Sequence, residues 1–360
     1  MNARRRSKIG QMMRRAVTDG VFPGAVLLAS RRHQIEFFGA YGYADLFARQ
    51  PMTLDTCFDL ASLTKPLATA SAVMALVEQQ RLSVAEPVEA YLKIAENRPL
   101  GKRSIFSLLT HTSGLPAYRP YFTRLRTNES VADRRQRVRR WLLDEPLLMP
   151  DATTCVYSDL GFMVLEWIVE EIVWQRLDRF LLDCIYPLYG LNREPDSMLG
   201  FMPGMQLSVP VAATEFCCWR RCLVKGQVHD ENAAALGGVA GHAGLFGTAA
   251  GICRLLTAWL GWDGDGGPIS GKTIQHFFSK TICGRALGFD IPSPHGSSSG
   301  RYFSDDTVGH LGFTGVSFWI DRRRCIFVIL LTNRVHPWRG NEKLKAFRPC
   351  IHDAIMRGLI

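Results

Sequence analysis

The chain has 360 residues, 47% hydrophobic and 21% charged, a balance that allows a large core and excludes wholesale disorder. Its 43 Lys and Arg against 33 Asp and Glu leave a formal charge of +10, which raises the question of a nucleic-acid partner. The basic clusters at 3–8, 133–141 and 321–324 have little aromatic interleaving and match no nucleic-acid fold signature, so none is expected.

In chain order, a first helix is expected over about 7–18. The basic N-terminus is not followed by the apolar stretch of a secretory signal, and no run approaches the roughly 18 apolar residues of a membrane span. A cytoplasmic protein without a membrane partner is therefore expected, with its ten scattered cysteines as reduced thiols. Residues 24–30 and 34–43 read as strands joined by a short polar turn. From 59 onward, Leu63, Leu67, Ala70, Val73, Met74 and Val77 recur every three or four residues, the pattern of a helix with one buried face.

Helical patterns dominate from about 60 to 235. One helix is expected to present a wet basic face over 133–141 while packing through Val131, Val138 and Trp141; another runs over 161–186. Cys217, Cys218 and Cys222 cluster among arginines without a paired CxxC, so no zinc site is expected. Residues 293–302 form a Gly/Ser loop. A second hairpin follows at 316–321 and 325–333, turning at 321–324, and a helix closes the chain over 345–360. Strands at both ends and helices between them give an α+β fold, a single two-lobed domain over 1–360. Its sheet-bearing lobe takes about 1–58 and 236–360, and its helical lobe about 59–235.

Residues 266–273, GGPISGKT, match the phosphate-binding pattern GxxxxGK[ST]. A phosphate loop follows a buried strand. Here an amphipathic run ending in Asp263 and Asp265 precedes it, so a nucleotide-binding protein is the remote alternative. No zinc motif of the HExxH type occurs, and no metal or cofactor is expected.

Three other pieces belong together. Ser62 and Lys65 lie three apart, on one face of a helix. A serine hydroxyl needs a group to take its proton, and a lysine tuned by burial and neighbours can act or assist. A helix start adds free N–H groups that favour an oxyanion, and Pro66 is tolerated only in a first turn. Tyr157-Ser158-Asp159 precedes the long apolar helix, and His310 to Gly315 leads into a strand. His111 and His242 read as loop-fixing residues.

This ordered set resembles the penicillin-recognising serine hydrolases: class C β-lactamases, DD-peptidases of the same fold and related esterases. Their SxxK, YxN and KTG or HxG motifs correspond to Ser62 with Lys65, Tyr157 with Asp159, and His310 with Gly312. LLTHTSGLP (108–116), 228–249 and 309–321 are also family-like. The resemblance implies an antiparallel sheet flanked by helices, a mostly helical lobe and a site in the groove between them. It implies that Ser62 is acylated while Lys65 and Tyr157 handle protons. The oxyanion would lie between the N–H groups of Ser62 and of Phe313 on the edge strand.

Asp159 stands where asparagine is common, and a carboxylate there favours the charged Lys65, which moves the expected base to a Tyr157 phenolate. His310 and Leu311 replace the Lys-Thr pair that often meets a substrate carboxylate. The expected substrates are therefore small esters or amides such as cell-wall peptides, more than β-lactams. A sensor of the same fold that acylates without turnover is the alternative from another class.

Overall fold

The computed structural model describes residues 1–32, 34–95, 98–126, 128–148, 154–202, 209–261, 269–281 and 284–360. Strand β1 (Gly24–Arg31) alternates its side chains between two apolar layers, as a strand covered on both faces must. Ala25, Leu27 and Ala29 face one layer, Val26 and Leu28 the other. The strand forms a hairpin with β2 (Gln34–Asp45), which continues to β3 (Gln50–Pro51).

The other edge of β1 pairs with β11 (Ile326–Thr332), Ala25 opposite Thr332. Beyond it lie β10 (Ser317–Asp321) and β9 (Thr307–Leu311), all antiparallel, in the order β3-β2-β1-β11-β10-β9. The two expected hairpins are thus joined along strands from opposite ends of the chain, with Arg322 to Arg324 turning the second.

Helices α1 (Ala3–Thr18) and α10 (Leu344–Leu359) cover one face through Ile9, Met13, Ile351 and Ile355. The other face packs on the main core, which takes in α2 (Ser71–Glu78), the short α3 (Ile105–Leu109), α4 (Val131–Asp144) and α5 (Asp159–Val173). Short α6 (Leu177–Phe180) and α7 (Glu231–Ala235) follow, then α8 (Ala249–Trp259) and α9 (Gly271–Phe278).

Two expectations change. The helix expected over 161–186 ends at Trp174, whose left-handed φ of 56° closes α5; the chain resumes in α6 and a π-helical turn, Leu181–Ile185. The basic stripe of α4 is not wholly wet, because Arg135 pairs with Glu166 and Glu170 of α5, and Arg139 with Glu170. In the phosphate-loop match, 266–268 lie outside the described residues. The start of α9 is already capped, with Ser270 and Thr273 donating to the Glu78 carboxylate, so a negative charge occupies the place a phosphate needs.

A small sheet brings β4 (Phe58–Asp59) and β5 (Leu199–Phe201) to either side of β8 (Leu245–Gly247). A separate hairpin joins β6 (Phe216–Cys217) to β7 (Cys222–Leu223). Among the described residues no helix is long and apolar enough to cross a membrane.

Candidate active site

The chain leaves β4 through a strained step. Ala61 has a φ of 45°, a left-handed conformation costing a non-glycine residue about 1–2 kcal/mol. Asp59 holds it there: one carboxylate oxygen accepts the Ala61 N–H at 2.8 Å and the other the His229 N–H at 2.6 Å. Ser62 follows in a 3₁₀ turn, Ala61–Leu63.

Instead of entering an α-helix directly, the chain then makes a π-helical turn, Lys65–Ala70, before α2. Pro66 contributes no N–H, and Ser71 Oγ donates to the Pro66 and Leu67 carbonyls. The turn buries Lys65 completely. Its Nζ donates to Ser62 Oγ at 3.0 Å, to Asp159 Oδ1 at 2.7 Å and to the His242 carbonyl at 3.3 Å. Burial works to lower the Lys65 pKa, but the Asp159 charge, with the contact to Tyr157 after it, outweighs burial and raises it above the ordinary value. Its resting form is the ammonium.

Tyr157 precedes α5, whose first turn Ser158 caps by accepting the Gly161 N–H. Lys65 Nζ lies 4.7 Å from the Tyr157 ring centroid, and the phenol also interacts with Ser62. The ring is 37% exposed toward the cleft. Burial of its hydroxyl raises the Tyr157 pKa; Lys65 pulls it down, and Asp159 adds to the rise. The expectation of a phenolate held by the lysine thus meets a stronger opposing effect, and the resting tyrosine is the neutral phenol.

His111 holds Tyr157 from behind. Its carbonyl accepts the Val156 N–H at 2.9 Å, its Nδ1 accepts the Ser158 N–H at 3.0 Å, and its ring lies 4.5 Å from that of Tyr157. Burial, with Arg285 and Lys65 nearby, drives its pKa well below the ordinary value, so the imidazole stays neutral and Nδ1 remains an acceptor. On the far side, His242 Nε2 meets Asp230 Oδ1 at 3.0 Å. The His111 ring touches Tyr157, and the His242 carbonyl accepts from Lys65.

His310 lies within edge strand β9, its ring 5.9 Å from that of Tyr157. Burial lowers its pKa to about 4 against the pull of Asp290, so it is neutral at pH 7. Its Nδ1 meets the Leu311 carbonyl at 2.8 Å, while Nε2 is buried without a partner among the described residues. Gly312 is required by close approach, since a Cβ there would clash with Val316 and lie 2.8 Å from the Leu60 carbonyl.

Phe313 is not on the edge strand as expected. It sits in the turn after β9, which ends at Leu311, because Gly312 closes the turn with its N–H on the Val316 carbonyl at 2.8 Å. Thr314 Oγ1 donates to the Asp59 carbonyl at 2.8 Å, tying this turn to the Ser62 segment. The backbone N–H groups of Ser62 and Phe313 have no partner among the described residues.

Ser62, Tyr157, Asp290, His310 and Phe313 line one cavity of about 390 Å³, which Arg334, Lys345 and Arg348 also line. Sequence reasoning missed these cations. The available signal was Arg348 itself, four residues after Leu344 and three before Ile351 on the apolar stripe of α10. Elsewhere, Glu215, Cys217 and Glu231 bring possible metal-ligand atoms within 4.8 Å of one another, but Arg339 pairs with both carboxylates.

Residues 9–348 match the family model described as Beta-lactamase. The chain belongs to the Beta-lactamase family. It is 33% identical over 372 residues to the N-acetylmuramyl-L-alanine amidase of Bacillus subtilis (strain 168), covering 91% of this chain and 81% of that one. To the putative D-alanyl-D-alanine carboxypeptidase of Escherichia coli O157:H7 it is 30% identical, covering 88% and 80%. Its fold superposes with a TM-score of 0.75 on EstCE1, a hydrolase with promiscuous acyltransferase activity, at 21% identity over 98% of this chain and 99% of that one. As a Beta-lactamase family member the chain is a serine hydrolase with the α+β fold of its relatives.

Proposed function

We propose that Ser62 is the nucleophile, that Tyr157 and Lys65 move its proton, and that the substrates are amides or esters of cell-wall-peptide type. The observation that carries this reading is the contact of one buried ammonium with both Ser62 Oγ and Asp159. Ser62 attacks the carbonyl and passes its proton to the ionised form of Tyr157, which Lys65 stabilises and burial opposes. Charge on the tetrahedral oxygen meets the N–H groups of Ser62 and Phe313. The proton then goes to the leaving group, and water, activated by the same pair, releases the acyl group.

The amidase and carboxypeptidase named above support this substrate class. A neutral His310 and a Leu311 without a hydroxyl favour peptides and esters over efficient β-lactam hydrolysis. The cleft would lie between a sheet-bearing lobe, about 1–58 and 236–360, and a helical lobe, about 59–235. Cys57, Cys184, Cys217, Cys218 and Cys222 are unbridged thiols, which supports a cytoplasmic setting.

The test is intact-mass spectrometry after exposure to a fluorophosphonate, alongside turnover of D-amino-acid peptides, p-nitrophenyl esters and a cephalosporin. One adduct on the wild type and none on Ser62→Ala is expected, with peptide or ester turnover exceeding cephalosporin turnover. An unlabelled wild type, or a labelled and active Ser62→Ala, would overturn the assignment of the nucleophile. Dominant cephalosporin turnover would overturn the substrate class.

A further inference from the structure

The excess positive charge is concentrated on one layer of the molecule. Helix α1 carries six Lys and Arg and no acid, and α10 carries three against Asp353, so the two together hold +8 of the formal +10. On α1, Arg5, Lys8, Ile9 and Met12 recur at the spacing of one helical face, and on α10 Cys350, Asp353, Ala354 and Arg357 do the same. The two stripes meet across a groove of about 410 Å³, which Arg301 also lines.

The groove has an apolar floor and a cationic rim. Ile9 is buried beneath it, while Arg5, Lys8, Arg301 and Arg357 are exposed. Its one acid is already engaged: Asp353 accepts the Arg301 N–H at 2.6 Å and pairs with the Arg301 guanidinium at 3.2 Å. Nearby, Glu36 and Asp19 engage Arg6 and Arg15. Among the described residues Arg5, Lys8 and Arg357 have no carboxylate partner, so three like charges share one groove without a counter-charge from the chain. The groove is also separate from the catalytic cleft. The first turns of α10 line the Ser62 cavity through Arg348, and Arg357 lies further along the same helix, about 14 Å away at the helical rise.

We propose that the seam of α1 and α10 is a docking surface for an anionic lipid bilayer, with a headgroup phosphate seated among Arg5, Lys8 and Arg357. The guanidinium and ammonium groups donate to the phosphate oxygens, and the glycerol and first methylenes behind it match Ile9, Met12 and Ala354. A polybasic surface beside apolar side chains holds a bilayer without spanning it. The expectation of no membrane partner rested on the lack of an apolar span, which a peripheral surface does not need. A nucleic acid is the poorer fit. The groove residues include no aromatic ring for a base to stack on, and the nearby Tyr302 ring is covered by Arg357, 4.9 Å from its centroid.

The test is co-sedimentation of the full chain with vesicles of phosphatidylcholine alone, or with about one third phosphatidylglycerol, at about 0.1 M NaCl. Binding to the anionic vesicles and not to the neutral ones is expected, with release when the salt is raised about fivefold. The triple variant Arg5→Gln, Lys8→Gln, Arg357→Gln should partition on the order of a hundredfold more weakly. Removing the same charge elsewhere, with Lys93→Gln, Arg179→Gln and Lys272→Gln, should weaken partitioning by less than about threefold.

A wild type that ignores the anionic vesicles, or equal losses in the two triple variants, overturns the proposal. So does tighter binding per phosphate, at the same salt, to duplex DNA than to the anionic vesicles. If the groove variant does not fold, Arg5→Gln alone is read in its place: partitioning about fivefold weaker is expected, and unchanged partitioning overturns the proposal.

Discussion

Lys65 and Asp159 are 94 residues apart in the chain, and their charged atoms are 2.7 Å apart. The carboxylate keeps the ammonium protonated and raises the pKa of Tyr157. Both groups that could accept the Ser62 proton therefore rest in their protonated forms, and activity requires one of them to lose a proton. An alkaline-rising kcat/KM follows.

Asp159→Asn removes the carboxylate and so lowers both pKa values. The rising limb of kcat/KM against pH is expected to move about 1–2 units toward acid. A limb that stays in place or moves toward alkali would show that Asp159 does not set the protonation of this pair.

His111 offers its Nδ1 to the Ser158 N–H from a backbone with a φ of 60°. Asparagine can place an oxygen near the same point and tolerates that φ; leucine does neither. His111→Asn should keep most of kcat, and His111→Leu should lose about tenfold or more with KM little changed. Equal losses in the two variants, measured in steady state, would assign the histidine to packing alone.

Placing at position 310 the lysine of the KTG motif should harm the protein. Lys65 and Arg285 already act against positive charge on His310, and the site is 1% exposed. His310→Lys is expected to cost on the order of 3 kcal/mol of stability, read as a lower urea midpoint at unchanged slope. An unchanged midpoint would mean that the cleft accepts the charge.

The buried His242 and Asp230 pair gives stability a pH signature. Burial lowers the His242 pKa, but Asp230 outweighs it and raises it; burial raises the Asp230 pKa, but His242 outweighs it and lowers it. The pair's contribution is present in full between the aspartate's unfolded value of about 3.9 and the histidine's of about 6.5; it is lost as pH falls through the lowered native pKa of Asp230 and as pH rises through the raised native pKa of His242. Asp230→Asn can still cap α7 at Ala233. Its deficit in Tm should be largest near pH 5 and shrink above neutrality; a deficit that grows with pH would contradict the pairing.

Much of this was legible in the sequence. The two hairpins stand out because β1 and β11 are apolar runs interrupted by polar turns, and Ser62 with Lys65 because spacing by three puts them on one helical face. The order of the three motifs signalled that Asp159 and His310 converge on them, although they are distant in the chain. What stayed hidden depended on partners. No local pattern shows that Trp174 turns left-handed, that Arg135 is neutralised from α5, or that burial outweighs Lys65 at Tyr157. Arg348 was hidden because a lone arginine on a stripe is usually read as reaching solvent.

The sheet order also bears on synthesis. The segment carrying Ser62 leaves the ribosome early, yet β1 lies beside β11 and part of the cleft wall, Leu344, Lys345 and Arg348, belongs to α10. Until β11 and α10 emerge, β1 has an open edge and the cleft lacks part of its wall. A chain truncated before β11 would contain the Ser62 segment without the strand that flanks β1 and without the part of the cleft wall that α10 supplies.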